Sequence, residues 1–293
     1  LTEHAFQFSS LQCANDRSFY FDTVSKAETV KIFNAFLLYY RIGNPKSISS
    51  LGRLKNFEPH FRSMEEILAR CADVPKSEYN MLIDVCMKDI WSYFNKATGA
   101  LKVEIWRKIE KYFVGLDIPY SENKTEKNYF YWYRDYKEIG NPVEPKEQVI
   151  FSVTAEPGNI SRVAECIESL LMQSLHAEKT ILWLPRELFP EGENGLPEEL
   201  TELAGECFLI RFTESYGPYT NVIAAMQEYP EAVIIAADGN MLYDFGMGRR
   251  LYDSYLLDRH SIHAQMTDRL FAWEDTYKSF VLNQNVNGAS FLN

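Results

Sequence analysis

The sequence predicts an α/β chain, with a helical N-terminal region followed by a domain built on a mostly parallel sheet. Three observations carry this. In the first half, apolar residues recur at three- and four-residue steps, as in "ALKVEIWRKIEKYF" (100–113), where Leu101, Ile105, Ile109 and Phe113 stand four apart. From residue 148 onward, short continuous apolar runs alternate with amphipathic stretches, the pattern of a sheet covered on both faces. Between the two lies "KEIGNPVEPKEQ" (137–148), charged and holding two prolines, which reads as a connector. These limits place a helical region over 1–140 and a sheet domain over 147–293.

In the first half, "TVKIFNAFLLYY" (29–40) predicts a helix, and the polar "RIGNPKSISS" (41–50) a turn-rich break. "RSMEEILARCA" (62–72) predicts a short amphipathic helix. In "KSEYNMLIDVCMKDIWSYFNK" (76–96), Tyr79, Ile83, Cys86, Ile90 and Phe94 form one helical stripe. "NYFYWYRDY" (128–136) packs six aromatics into nine residues. It is either a helix docking on a neighbouring core or a surface on which sugar C–H groups stack.

In the second half, "QVIFSVT" (148–154) predicts a strand, "AEPGN" (155–159) a turn, and Asn159 the N-cap of a helix over 160–174. "KTILWL" (179–184) and "FLIRF" (208–212) predict two more strands. "YTNVIAAMQEY" (219–229) predicts a helix, "AVIIAAD" (232–238) a fourth strand, "RRLYDSYLLD" (249–258) a helix, and "SIHAQM" (261–266) a further strand.

The chain has 293 residues, 46% of them hydrophobic, and a net charge of −11. That is the composition of a globular chain long enough for two cores. The acidic balance, without a basic stripe, argues against a nucleic-acid partner. The five cysteines (Cys13, Cys71, Cys86, Cys166, Cys207) are scattered and form neither a CxxC nor a Cys/His cluster. They read as core residues of a protein in a reducing compartment. The longest apolar run, "IFNAFLLYY" (32–40), is about half a membrane span. A cytoplasmic location is expected, with peripheral association at the inner face of a membrane as one variant. Because the chain opens on Leu1, it reads as a segment of a longer protein.

Two common ligand motifs are absent: no G-x-G-x-x-G follows the first strand, and there is no G-x-x-x-x-G-K-[ST]. A G-x-S-x-G nucleophile elbow is missing too. What remains is the acid at a strand tip in "IIAADGNMLY" (234–243), where open α/β sheets place ligands. Asp238 and Asn240 have the D-x-D spacing with which a strand end offers oxygens to Mg²⁺ or Mn²⁺, although an amide supplies no charge. The alternative is a plain turn capped by Asp238. His260 and His263 read as structural.

Taken together, the pieces of the second half resemble the GT-A-type glycosyltransferases of bacterial capsule and lipopolysaccharide synthesis. "FSVTAEPGNISRVAECIESLLMQSL" resembles that family's opening strand, turn and helix, and "TILWLPRELFP" with "LPEEL" its second strand and following loop. "ESYGPYTNVIAAMQEYP" resembles its G-P-[YF]-T-K helix start, and "VIIAADGNMLY" its acidic strand end. The order is kept over about 148–270. In the helical region, "LTEHAFQFSSL" with "LLYYRIGNPKSISS" resembles the tail of a family-2 glycosyltransferase, with Glu3 as a catalytic remnant.

The resemblance implies a Rossmann-like GT-A domain that binds a nucleotide-sugar donor and passes the sugar to a glycan or lipid-linked glycan acceptor. Thr154, Ala155 and Glu156 would lie near the nucleoside. Gly217, Pro218, Tyr219 and Thr220 would bring backbone to the donor. Asp238 and Asn240 would hold Mn²⁺ or Mg²⁺ at its diphosphate. The family's acidic triplet is reduced here to Asp238-Gly239-Asn240, and its Lys after G-P-Y-T is Asn221. These changes remove charge that would hold a metal or a diphosphate. They admit a second reading, a catalytically degenerate glycan-binding or scaffolding module. Asp at 239 and 240 would be expected to restore cation-dependent affinity. No catalytic base is named within the chain.

Overall fold

The computed structural model describes residues 8–11, 14–31, 57–70, 75–115, 130–264, 269–270 and 282–283. The chain divides into two compact units, Leu1–Arg134 and Asp135–Asn293.

The first unit holds α1 (Asn15–Ser25), α2 (Glu58–Ala69), α3 (Lys76–Phe94), α4 (Gly99–Gly115) and the start of α5 (Phe130–Ile139). The four-residue steps read in the sequence are buried stripes here. Met64, Met87, Ile90, Phe94, Ile105, Trp106, Ile109 and Phe113 are each at most 1% exposed. Trp106 meets Phe113 edge-on, and Phe113 meets Tyr133 in the same way. α2 begins at Glu58, earlier than its apolar period suggests, because Pro59 sits in its first turn, where the missing N–H costs nothing. α1 was not expected. Its sequence has no apolar stripe, and it is tied down by polar contacts: Arg17 pairs with Asp89, Arg70 with Asp22, and Ser63 Oγ donates to Ala14 O at 3.2 Å. Most of the predicted 29–40 helix, the turn at 41–50, Glu3, Cys13 and Cys71 lie outside the described residues. Residues 29–31 carry no helix.

The second unit is an α/β layer structure. Four strands, β1 (Val149–Thr154), β2 (Lys179–Pro185), β3 (Phe208–Thr213) and β4 (Val233–Asp238), form one all-parallel sheet in the order β3-β2-β1-β4. They are joined by α6 (Ile160–Leu171), α7 (Glu198–Leu203) and α8 (Thr220–Glu228), and α9 (Met247–Leu257) follows β4. The chain winds from β1 to β3 in one direction and then returns to the other side of β1. Right-handed crossovers therefore put α6 and α7 on one face and α8 on the other. The α8 face packs Ile150, Ile181 and Trp183 against Ala224 and Ala225, all at most 3% exposed. Val149, Phe151 and Val153 alternate to the opposite face and are equally buried.

α7 was read only as a loop. Leu200 and Leu203, three apart and both buried, with Glu198 and Glu199 at the N-terminal end, are the signal that identifies it. The expected connector is docked rather than free. Val143 forms a parallel bridge with Leu175, Arg249 donates to Asn141 O at 3.1 Å, and Glu147 takes both Tyr252 and Arg259. The strand expected at 261–266 is absent from Ser261–Ala264. Asp258 instead draws that stretch into a turn, its carboxylate accepting from His260 N and from Ser261 Oγ at 2.6 Å. A short antiparallel pair, β5 (Arg269–Leu270) with β6 (Leu282–Asn283), was not expected.

Of the cysteines, Cys86 and Cys166 are buried as expected, whereas Cys207 is exposed just before β3. Among the described residues no helix is long and apolar enough to cross a membrane.

Candidate functional site

The strand order has one switch point. β1 sends the chain to β2 on one side and receives β4 on the other, so the connections after β1 and β4 diverge to opposite faces. In open α/β sheets a ligand crevice forms there, outside the carboxyl ends of the strands. The register puts Thr154 directly beside Asp238 at those ends. The turns that follow, from Ala155 and from Gly239, flank the place where such a crevice is expected.

One hydrogen-bonded chain links the two turns. Asn240 donates to Asp238 Oδ1 twice, from its backbone N at 2.9 Å and from its side-chain Nδ2 at 3.0 Å. Asn159 Nδ2 donates to Asn240 Oδ1 at 3.0 Å, and Asn159 Oδ1 accepts from Glu156 N at 2.8 Å. Asn159 therefore does not cap α6, as its position suggested. Its side chain is committed to the loop before the helix and to the turn across the crevice. Asp238 and Asn240 are exposed. Among the described residues no hydrogen bond reaches Asp238 Oδ2.

Gly239 is buried between them, and the reason is steric. A Cβ at this position would stand 2.9 Å from Thr154 O, 3.2 Å from Val163 Cγ2 and 3.4 Å from Val153 Cγ1. The β4 turn lies directly on the end of β1, an approach that only glycine permits. The expectation that Asp at 239 would rebuild an acidic triplet meets this contact, because the nearest obstacle is backbone.

Beneath Asp238, Tyr243 and Cys166 close the cluster. Asp238 N donates to Tyr243 Oη at 2.7 Å, and Cys166 Sγ lies 3.5 Å from Asp238 O. Burial pushes the Cys166 thiol up to about 12, with the Asp238 charge adding to it. Burial also raises the Tyr243 phenol, against the hydrogen bond with the Asp238 backbone and with the Asp238 charge adding to the rise. Both groups stay neutral near pH 7 and serve as packing and hydrogen-bonding support. Sequence reasoning gave Tyr243, Cys166 and Asn159 no place in the site, although Tyr243 stands in the quoted acidic strand-end motif.

The remaining expected site residues divide. Thr154 Oγ1 donates to Trp183 O at 2.9 Å, Ala155 is 2% exposed, and Glu156 is exposed at the rim. Gly217 takes the left-handed conformation, φ +60°, and opens a single 3-10 turn, Gly217–Tyr219, ahead of α8. Thr220 is fully buried and its hydroxyl is spent on that turn, donating to Gly217 O at 2.8 Å and accepting from Tyr216 N at 3.0 Å. Tyr219 is exposed. No hydrogen bond among the described residues joins this turn to Asp238 or Asn240.

Asn221, where the resemblance expects a lysine, points inward. Its Nδ2 donates to Ser152 O and to Ala237 O, both at 3.3 Å. Ser152 Oγ donates to Asn221 O at 2.6 Å and accepts from Trp183 Nε1 at 2.8 Å. This buried circuit ties α8 to β1 and β4 just below the crevice.

For a divalent ion the donor set is thin. Asp238 has one oxygen already taken by two N–H groups. Asn240 has turned its side-chain oxygen to Asn159. Among the described residues no group of three or more His, Cys, Asp or Glu side chains is arranged to hold a metal ion. Mg²⁺ and Mn²⁺ favour oxygen shells with one or two carboxylates, and the side chains at this turn do not fit that need as arranged. Comparison with family models, with curated proteins and with solved structures gave no match to the chain.

Proposed function

We propose that the second unit is the nucleotide-sugar domain of a GT-A-type glycosyltransferase, which moves a sugar from its nucleotide donor to a surface-glycan or lipid-linked acceptor. The single observation that carries this reading is the pairing of Thr154 with Asp238 at the switch point of the β3-β2-β1-β4 sheet, with an exposed carboxylate at the strand tip. The order of pieces that resembles the family supports it from the sequence. In this reading the crevice binds and orients the donor, and its fixed dipoles stabilise the leaving diphosphate. A cytoplasmic enzyme at the inner face of a membrane suits such an acceptor.

A second reading, a catalytically degenerate module that binds glycan or scaffolds a glycan-building complex, is favoured by one observation: the acidic triplet is reduced to Asp238, with Gly239 locked against Thr154 O. Calorimetry of the full chain against UDP-, GDP- and CMP-linked sugars tests the donor site. Binding of one of them, changed at least threefold by Asp238→Ala, which removes the acceptor that holds Asn240, is expected. Absence of binding across the panel refutes the donor-site reading. Release of the nucleoside diphosphate on turnover with a glycan acceptor separates enzyme from scaffold.

A further inference from the structure

The geometry points to donor recognition without a divalent cation: the hydrogen-bonded chain Asp238–Asn240–Asn159 stands where a metal bridge would, and a nucleotide sugar binds this crevice cation-independently. This inference rests on the nucleotide-sugar reading and departs from the ion-bridged site that the resemblance implies.

Three features of the donor set carry it. First, Asp238 Oδ1 accepts both the backbone and the side-chain N–H of Asn240, which fixes the carboxylate and spreads its charge onto amide dipoles. Second, the Asn240 side-chain oxygen accepts from Asn159 Nδ2, which joins the β4 turn to the turn after β1. A cation at this place would share that oxygen with the amide donor and gain a neutral ligand, with Asp238 alone to supply charge. Third, position 239 has no space for a side chain, because Thr154 O stands 2.9 Å from where its Cβ would be. The turn cannot recruit a second carboxylate from there without moving β1.

Positive charge for a diphosphate is available without an ion. α6 is a twelve-residue helix whose first turn no side chain caps; there Ile160 N donates to Glu156 O and Arg162 N to Asn159 O, so the helix brings its dipole to this loop rather than a row of free donors. Arg162 lies in the same turn, exposed and without an ion pair among the described residues. Helix dipole and guanidinium together supply the role that a metal plays in an ion-bridged site.

The test separates the cation from the ligand. Free Mn²⁺ is followed by electron paramagnetic resonance as the full chain is titrated in. The wild type and Asp238→Ala are expected to give superimposable curves. Asn240→Asp, which sets a second carboxylate beside the first, is expected to gain at least tenfold in Mn²⁺ affinity, and its melting curve checks that it folds. One Mn²⁺ bound by the wild type and lost in Asp238→Ala overturns the inference. Whichever of the UDP-, GDP- and CMP-linked sugars binds is then titrated in EDTA and in Mn²⁺. Affinities within threefold of each other support the inference, as does a loss of at least fivefold in EDTA on Arg162→Ala. A tenfold tightening by Mn²⁺ that Asp238→Ala abolishes overturns it while leaving the nucleotide-sugar reading intact. A panel with no bound member sinks that reading instead, and the Mn²⁺ titration alone then decides the claim about the cation.

Discussion

Replacing Gly239 with alanine adds one methyl group where the β4 turn meets the end of β1. The new carbon has Thr154 O at 2.9 Å, Val163 Cγ2 at 3.2 Å and Val153 Cγ1 at 3.4 Å. The first contact is closer than real Cβ atoms come to a backbone oxygen, and both valines are stiff at χ1. None of the three yields by a simple rotamer change, so the β4 turn must lift from the end of β1. Overpacking of this kind costs about 1–3 kcal/mol. For a folding unit of this size each kcal/mol lowers the midpoint by about 2–4 °C, which gives a fall of roughly 2–12 °C. Differential scanning calorimetry of the full chain reads this in the transition of the second unit. Val163→Ala in the same background removes one contact and leaves the carbonyl, so the double variant should recover part of the loss but not all. A Gly239→Ala protein that melts within 1 °C of wild type would show that the two are not in contact, and the steric account of the turn would fail with it.

Asn221→Leu removes the donor shared by Ser152 O and Ala237 O and leaves both buried carbonyls short of a partner; a loss of about 1–3 kcal/mol is expected, with faster hydrogen exchange at the start of α8. His60 is held at about 4 by burial and by the nearby Arg17 charge, against an ordinary 6.5, while its Nε2 lies 2.8 Å from Tyr93 Oη. The unfolded chain takes up this proton first, so the first unit keeps the contribution above pH 6.5 and loses it as the pH falls toward 4. The slope is at most about 1.4 kcal/mol per pH unit and is reduced by solvent screening. Urea melts at pH 7 and pH 4.5 should show a smaller drop in His60→Gln than in the wild type. Native alkylation at pH 8 should label Cys207, which is exposed, and spare Cys166, whose buried thiol stays protonated; peptide mass spectrometry that finds Cys166 modified first would contradict its placement.

The parallel sheet was legible because its four strands are short apolar runs separated by helical periods; the polar-interrupted run at 261–266 did not follow them over Ser261–Ala264. The switch point was only half legible. Asp238 announced itself as a carboxylate at a strand tip, but nothing in a linear reading says that β4 returns to the far side of β1. The cramped space at Gly239 is a tertiary fact of the same kind, since the obstacle belongs to β1. Asn159 shows how local rules mislead: an Asn before a helix reads as a cap, yet a better partner stands 81 positions away in Asn240. Thr220 read as ligand-facing from the resemblance and is spent on the turn before α8, and Asn221, where the resemblance has a lysine, is spent on the interior. α1 was missed because it lacks an apolar stripe and is fastened by ion pairs and hydrogen bonds.

The placement of β1 at the middle of the sheet matters for the nascent chain. It is the first strand of its unit to leave the ribosome, yet it gains its second flank only after β2, α7, β3 and α8 have been made. Closure of a loop this long is slow and entropically costly. Until it closes, one side of β1 offers bare backbone to any passing strand. The pairing of Thr154 with Asp238 at the strand ends thus forms only once β4 has been made, and a ribosome paused before residue 233 holds a β1 with one flank bare.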